Sequence, residues 1–216
     1  SAHWMEGRVP RPPVEDIIKS AVGIETEGYT HQAVFSYPVT GGIEALIHAI
    51  AAPIKENILT GFRVSSISGQ EGQYVVSDGT RTLTADQIIS TIPLQNLIPC
   101  LDTIPDEVRK AVADLKYNSV MAIGIGIQGT VPPFSWAYIP DAGASLANRI
   151  SFPSNFSDTT APDGCSSILA EITYNEGDEI SRMTDAEVTD HIISSLSSLG
   201  LFTMDRVIAT QITRNK

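Results

Sequence analysis

Cysteine is scarce in this 216-residue chain: Cys100 and Cys165 are the only two. They stand far apart and in no C-x-x-C arrangement, so neither a disulfide framework nor a thiolate metal site is built from them. A reducing, cytoplasmic setting is the expectation that goes with this cysteine usage. The four histidines, His3, His31, His48 and His191, are scattered without acidic partners at ligand spacing, and no metal site is expected. Positive charge is also short, with 14 Lys and Arg against 25 Asp and Glu and a net charge of -11. Without a basic patch the chain has nothing to neutralise phosphates, which argues against nucleic acid and against an anionic membrane surface as partners. No apolar run approaches the ~18 residues of a membrane span. The opening Ser1-Ala2-His3-Trp4 carries no charged region followed by an apolar one, so no leader is read there.

What is present suits a folded body. The hydrophobic fraction is 42%, ordinary for a globular chain of one large or two small domains. After the stiff Arg8-Val9-Pro10-Arg11-Pro12-Pro13 entry, acids in the first turn and Gly23 beyond the end predict a short helix over Val14-Glu15-Asp16-Ile17-Ile18. Gly41-Gly42 leads into Ile43, Leu46, Ile47, Ile50 and Ile54, one apolar stripe of a helix that Pro53 ends or kinks. From Leu59 to Pro93 the period becomes alternating, through Phe62-Arg63-Val64, Gln73-Tyr74-Val75-Val76 and Arg81-Thr82-Leu83-Thr84. Asp78-Gly79 between the last two is a hairpin signal, because such a turn needs positive φ. Ala85 to Thr91 reads as a buried strand running into Ile92-Pro93, which completes a small β-meander.

A short helix is expected at Pro105 to Val112. Strands follow at Ser119 to Gln128, Trp136 to Ile139, Asn148 to Phe152, Ser167 to Tyr174 and Arg206 to Ile212. Thr184-Asp185-Ala186-Glu187 is a capping box opening a helix with Val188, Ile192 and Leu196 on its apolar side and Gly200 as its stop. Within the Ser119 strand, Gly124-Ile125-Gly126-Ile127-Gln128-Gly129 spells G-x-G-x-x-G. A dinucleotide loop requires a helix to open at those glycines so that its amides face the pyrophosphate. Thr130-Val131-Pro132-Pro133 follows instead, and residues before proline are pushed out of the α region. The strand reading therefore prevails, with Met121, Ile123, Ile125 and Ile127 on one face and Val120, Ala122, Gly124 and Gly126 on the other. So bare a face admits a close neighbour; a helix and a ligand both fit.

Tyr37-Pro38-Val39-Thr40-Gly41-Gly42-Ile43-Glu44-Ala45-Leu46, Val64 and the Ala85 to Pro93 segment together resemble the central part of the amine oxidase, protoporphyrinogen oxidase and phytoene desaturase flavoproteins. The resemblance implies FAD as the cofactor of the full-length protein, with weak or absent binding by this chain alone. It implies cofactor contacts at Gly41, Gly42, Val64, Thr91 and Pro93. A narrower likeness lies in Trp136-Ala137-Tyr138-Ile139-Pro140 and Arg149 to Ser157, which is similar to the substrate-domain strand pair of the UDP-galactopyranose mutase branch. That likeness implies substrate contacts at Trp136, Tyr138, Arg149 and Phe156, with the arginine meeting a pyrophosphate. Phe156 lacks the hydroxyl of the tyrosine that some mutases carry nearby.

The expectation is an α+β fold: a mixed β-sheet substrate domain with helices on one side, plus a small β-meander belonging to an FAD domain. Residues 1–34 would be a helical entry, 35–98 an FAD-domain insertion, and 99–216 the substrate-binding domain. The family's N-terminal dinucleotide motif and C-terminal flavin-contacting segment are not in the chain, so an interior piece is expected, partnered by those missing parts and by a small-molecule substrate. Asp86 and Glu171 read as lone carboxylates at sheet edges or turns, and no side chain reads as a general acid or base. The rival function is a non-catalytic module that binds a small molecule or a protein on the same sheet.

Overall fold

A computed structural model describes residues 13–24 and 35–215; the proline-rich entry before Pro13, His3 and His31 lie outside them. The body of the chain is built on two ten-residue strands, β4 (Ser119–Gln128) and β7 (Cys165–Tyr174), which pair along their whole length. With β5 (Trp136–Tyr138), β6 (Arg149–Ser151) and β8 (Val207–Asn215) they form a five-stranded sheet in the order β5-β6-β7-β4-β8. The class is α+β, but the sheet expected to be mixed is antiparallel at every pairing. The reason is where the long helix goes. Helix α6 (Asp185–Ser198) carries the chain from β7 over β4 to β8, so β7 and β8, which run in the same direction, are not neighbours.

Strict alternation decides which face is buried. Met121, Ile123, Ile125 and Ile127 on β4 and Ile168, Ala170, Ile172 and Tyr174 on β7 are all at most 3% exposed. They pack with Val188, Ile192 and Leu196 of α6 into one core, as residues two apart on a strand and three or four apart on a helix share a face. The helix starts at the expected capping box: the Thr184 Oγ1 accepts from the Glu187 amide, and the Glu187 carboxylate accepts from the Thr184 amide at 2.8 Å. Gly124 to Gln128 stays strand, so the glycine-rich run opens no helix.

Short helices α1 (Val14–Ala21) and α2 (Glu44–Ala51) match their apolar periods, and α2 passes into a tighter turn at Ala52, one residue before Pro53. Neither contains a buried residue. Two further helices, α3 (Leu94–Leu97) and α4 (Asp106–Ala113), follow the meander of β1 (Ser66–Gln70), β2 (Gln73–Ser77) and β3 (Thr82–Ala85). Here two expectations are corrected. Phe62 to Val64 lies ahead of β1 and not in a strand, and Ala85 to Thr91 is no buried strand, since β3 stops at Ala85 and Ile89 is 92% exposed. A strand needs a ladder partner for its amides and carbonyls, and among the described residues this stretch has none beyond Ala85, which pairs with Tyr74, and the Asp86 carbonyl, which accepts from the Gly72 amide. The fifth helix, α5 (Glu179–Arg182), is a single turn before α6.

The hairpin between β2 and β3 is held by a carboxylate. Asp78 Oδ1 accepts from the amides of Arg81 at 2.7 Å and Thr80 at 2.9 Å, while Gly79 takes φ +94°. The Arg81 and Thr80 amides hold the Asp78 carboxyl well below its ordinary value. A depressed carboxyl adds stability that is complete above the unfolded value of about 3.9 and is lost as pH falls from there toward the folded value. Acid unfolding followed by circular dichroism should therefore begin below about pH 4 and be shallower in Asp78→Asn. Identical acid limbs for the two proteins would contradict this role.

Candidate functional site

Helix α6 packs on one face of the sheet, and on the second face Val120, Ala122, Gly124 and Gly126 remain partly exposed. This second face carries those four from β4, Ser167, Leu169 and Glu171 from β7, and Ala209, Gln211 and Thr213 from β8, aligned by the strand register. Arg149 and Ser151 from β6 and Trp136 and Tyr138 from β5 continue the same rows. The centre is a bare strip. A Cβ built on Gly124 would find its nearest atom, the Gln211 carbonyl oxygen, at 3.9 Å, while one on Gly126 would touch Ile208 at 3.3 Å and Ala209 at 3.4 Å. Ser167 Oγ is buried on this face without a hydrogen-bond partner among the described residues.

Of the expected substrate contacts, Trp136, Tyr138 and Arg149 stand together on this face. Arg149 is not a lone edge-strand arginine. Its Nε and Nη2 donate to the two carboxylate oxygens of Glu171 on β7, the Nη2 bond measuring 2.7 Å, and the Tyr138 hydroxyl is a further acceptor. The Glu171 carboxylate in its fork raises the Arg149 pKa above its ordinary value, against the opposing effect of partial burial. Glu171 was expected at a sheet edge or turn. It lies in the middle of a strand with neighbours on both sides, and the period-2 set Cys165, Ser167, Leu169, Glu171 was the signal that places it on the open face. Asp86 does follow β3 directly, where its carbonyl accepts from the Gly72 amide.

Phe156 sits at the rim. Its ring meets Phe35 edge-on at 5.2 Å and Tyr37 at 5.4 Å, and Phe35 also contacts Trp136 at 5.6 Å. Ser157 Oγ and Thr159 Oγ1 donate to the Val39 carbonyl at 2.6 and 2.8 Å. These contacts fasten residues 35–39 to the 153–159 segment and border an open cleft of about 650 Å³ lined by Tyr37, Val39, Asn155, Phe156 and Asp158 among others. The next residues make the glycine turn. Gly41 and Gly42 both take positive φ, +79° and +62°, and a Cβ on Gly41 would press on Ala45 at 3.3 Å, so only glycine fits as the chain enters α2.

The remaining expected cofactor contacts lie apart from the open face. Val64 is half-buried just before β1, where its carbonyl accepts from Cys100 Sγ at 3.6 Å. Thr91 is exposed, and Pro93 is exposed at the start of α3. A second hollow of about 420 Å³ lies between the meander and the 87–101 segment.

Residues 20–211 match the flavin containing amine oxidoreductase family, and the chain belongs to that family. Its fold is similar to a reduced UDP-galactopyranose mutase, with TM-score 0.81 and 24% identity over 99% of this chain and 48% of the mutase. It is also similar to a putative protoporphyrinogen oxidase from Exiguobacterium sp. 255-15, with TM-score 0.58 and 16% identity over 80% of this chain and 38% of the other. A putrescine oxidase variant matches with TM-score 0.63 and 13% identity over 80% of this chain and 38% of the oxidase. The chain thus spans about half the length of the mutase and less of the two oxidases. No curated protein matches it. Among the described residues, no helix is long and apolar enough to cross a membrane.

Proposed function

We propose that this chain is the substrate-side portion of an FAD-dependent oxidoreductase or mutase-related flavoenzyme, and that its open sheet face is a wall of the substrate site. The observation that carries this is the bare Ala122-Gly124-Gly126 strip with Trp136, Tyr138 and Arg149 along one side. Small residues let a planar ligand approach the backbone, while aromatic and guanidinium groups at the margin orient it. Phe156 lines the rim of the same site. The division into a 1–34 entry, a 35–98 insertion of the FAD domain and a 99–216 substrate domain belongs to the same proposal.

The residues here fit one edge of a flavin site and not its pyrophosphate cradle. Gly41 and Gly42 give a turn tight enough for close backbone approach, and Val64, Thr91 and Pro93 add backbone edges. The G-x-G-x-x-G run, by contrast, stays in a strand whose amides are taken by β7 and β8. When bound, the flavin supplies the electron transfer; this chain's share is to bind, orient and exclude water. Residues beyond this chain supply the rest of the cradle. They also cover the apolar side of α2, where Leu46, Ile47 and Ile50 are 49 to 61% exposed, more apolar surface than a folded monomer usually leaves to water.

The test is spectroscopic. A polypeptide from the longer reading frame should show flavin absorption bands, while FAD titrated into this chain alone should leave the flavin fluorescence nearly unchanged. A colourless longer polypeptide would contradict the proposal and favour a binding module on the same sheet.

A further inference from the structure

Arg149 and Glu171 are the only charged side chains at strand positions of the open face among the described residues. They sit opposite each other on β6 and β7, Glu171 on the strand next to the bare strip and Arg149 one strand further out. The fork edge of the guanidinium, Nε and Nη2, is filled by the carboxylate, so the arginine reaches the ligand space already neutralised. The arginine side chain is still 41% exposed and the glutamate 20%. An ion pair this open to water contributes little to folding, whereas its carboxylate would act strongly on any anion that met Arg149 on this face.

We infer that Glu171 is a specificity-determining residue: an internal counter-anion that holds the Arg149 fork in the empty site and must be displaced by any phosphate or carboxylate that binds there. The inference rests on reading the open face as the ligand site. Its chemical consequence is selectivity. A simple anion gains the arginine and loses the pair, while leaving the Glu171 charge beside itself. A ligand that succeeds must present an anionic group together with a ring or apolar part that lies on the Gly124 strip and stacks near Trp136. Glu171 thereby keeps small anions out, and the glycine strip admits the larger ligand. A merely structural cross-strand pair makes the opposite forecast, because loss of the carboxylate would leave Arg149 poorly oriented and weaken every anion.

Inorganic pyrophosphate titrated into this chain by calorimetry separates the two. Glu171→Gln keeps the size and one acceptor for Arg149 while removing the charge, and Glu171→Thr, a residue strands accept readily, guards against a folding artefact. Both are expected to melt near the parent temperature and to bind pyrophosphate at least tenfold more tightly than the parent chain. The gain should vanish in Arg149→Ala/Glu171→Gln. Binding no tighter than the parent, or a gain that survives without Arg149, overturns the inference. The face itself is judged separately: if Gly124→Leu abolishes ligand binding while Glu171→Gln gains nothing, the ligand site stands and only the counter-anion falls.

Discussion

Phe152→Ala is expected to destabilise the chain by about 3 to 5 kcal/mol, the range for removing a fully buried aromatic side chain. Phe152 is 0% exposed and directly follows β6, where its ring meets Phe134 edge-on at 5.0 Å and its amide donates to the Ser135 carbonyl at 2.9 Å. One side chain therefore closes the core under the short β5-β6 pair, which offers only three residue pairs of ladder. Because that pair presents Trp136, Tyr138 and Arg149, the substitution should also loosen the open face. Thermal unfolding of the purified variant, with Phe152→Leu beside it, measures the effect. A melting temperature within a degree or two of the parent would contradict the packing described here, since losses of this size shift a domain of this length by several degrees.

The long elements were legible because each carries its period without interruption. Ten residues of β4 alternate without a break, and α6 announces both ends through its capping box and Gly200. The relative direction of the strands was not legible, because neither composition nor period says whether a helix joins adjacent strands or spans one between them. The false strand from Ala85 to Thr91 has a related cause. Its β-branched, apolar residues fit a buried strand, but what makes a strand is a partner, and partners are not written in the segment itself. The same limit hid Glu171: a carboxylate within a strand pattern shows its role only when register places Arg149 opposite it. The aromatic knot of Phe35, Tyr37, Trp136 and Phe156 joins residues about a hundred positions apart, which no local pattern reveals.

The sharpest test of the open face is to fill it. Gly124 is an ordinary strand residue without positive φ, and its missing Cβ would point into space whose nearest atom is 3.9 Å away. Leucine there should fold at least as well as the parent, since glycine in a strand interior is itself destabilising. In a longer polypeptide that carries flavin, Gly124→Leu should keep the flavin spectrum and the melting temperature while ligand binding to the face falls at least a hundredfold, about 2.7 kcal/mol. Unchanged affinity of the Gly124→Leu protein for every ligand of the parent, with the fold intact, would show that nothing binds over the strip and would contradict the account.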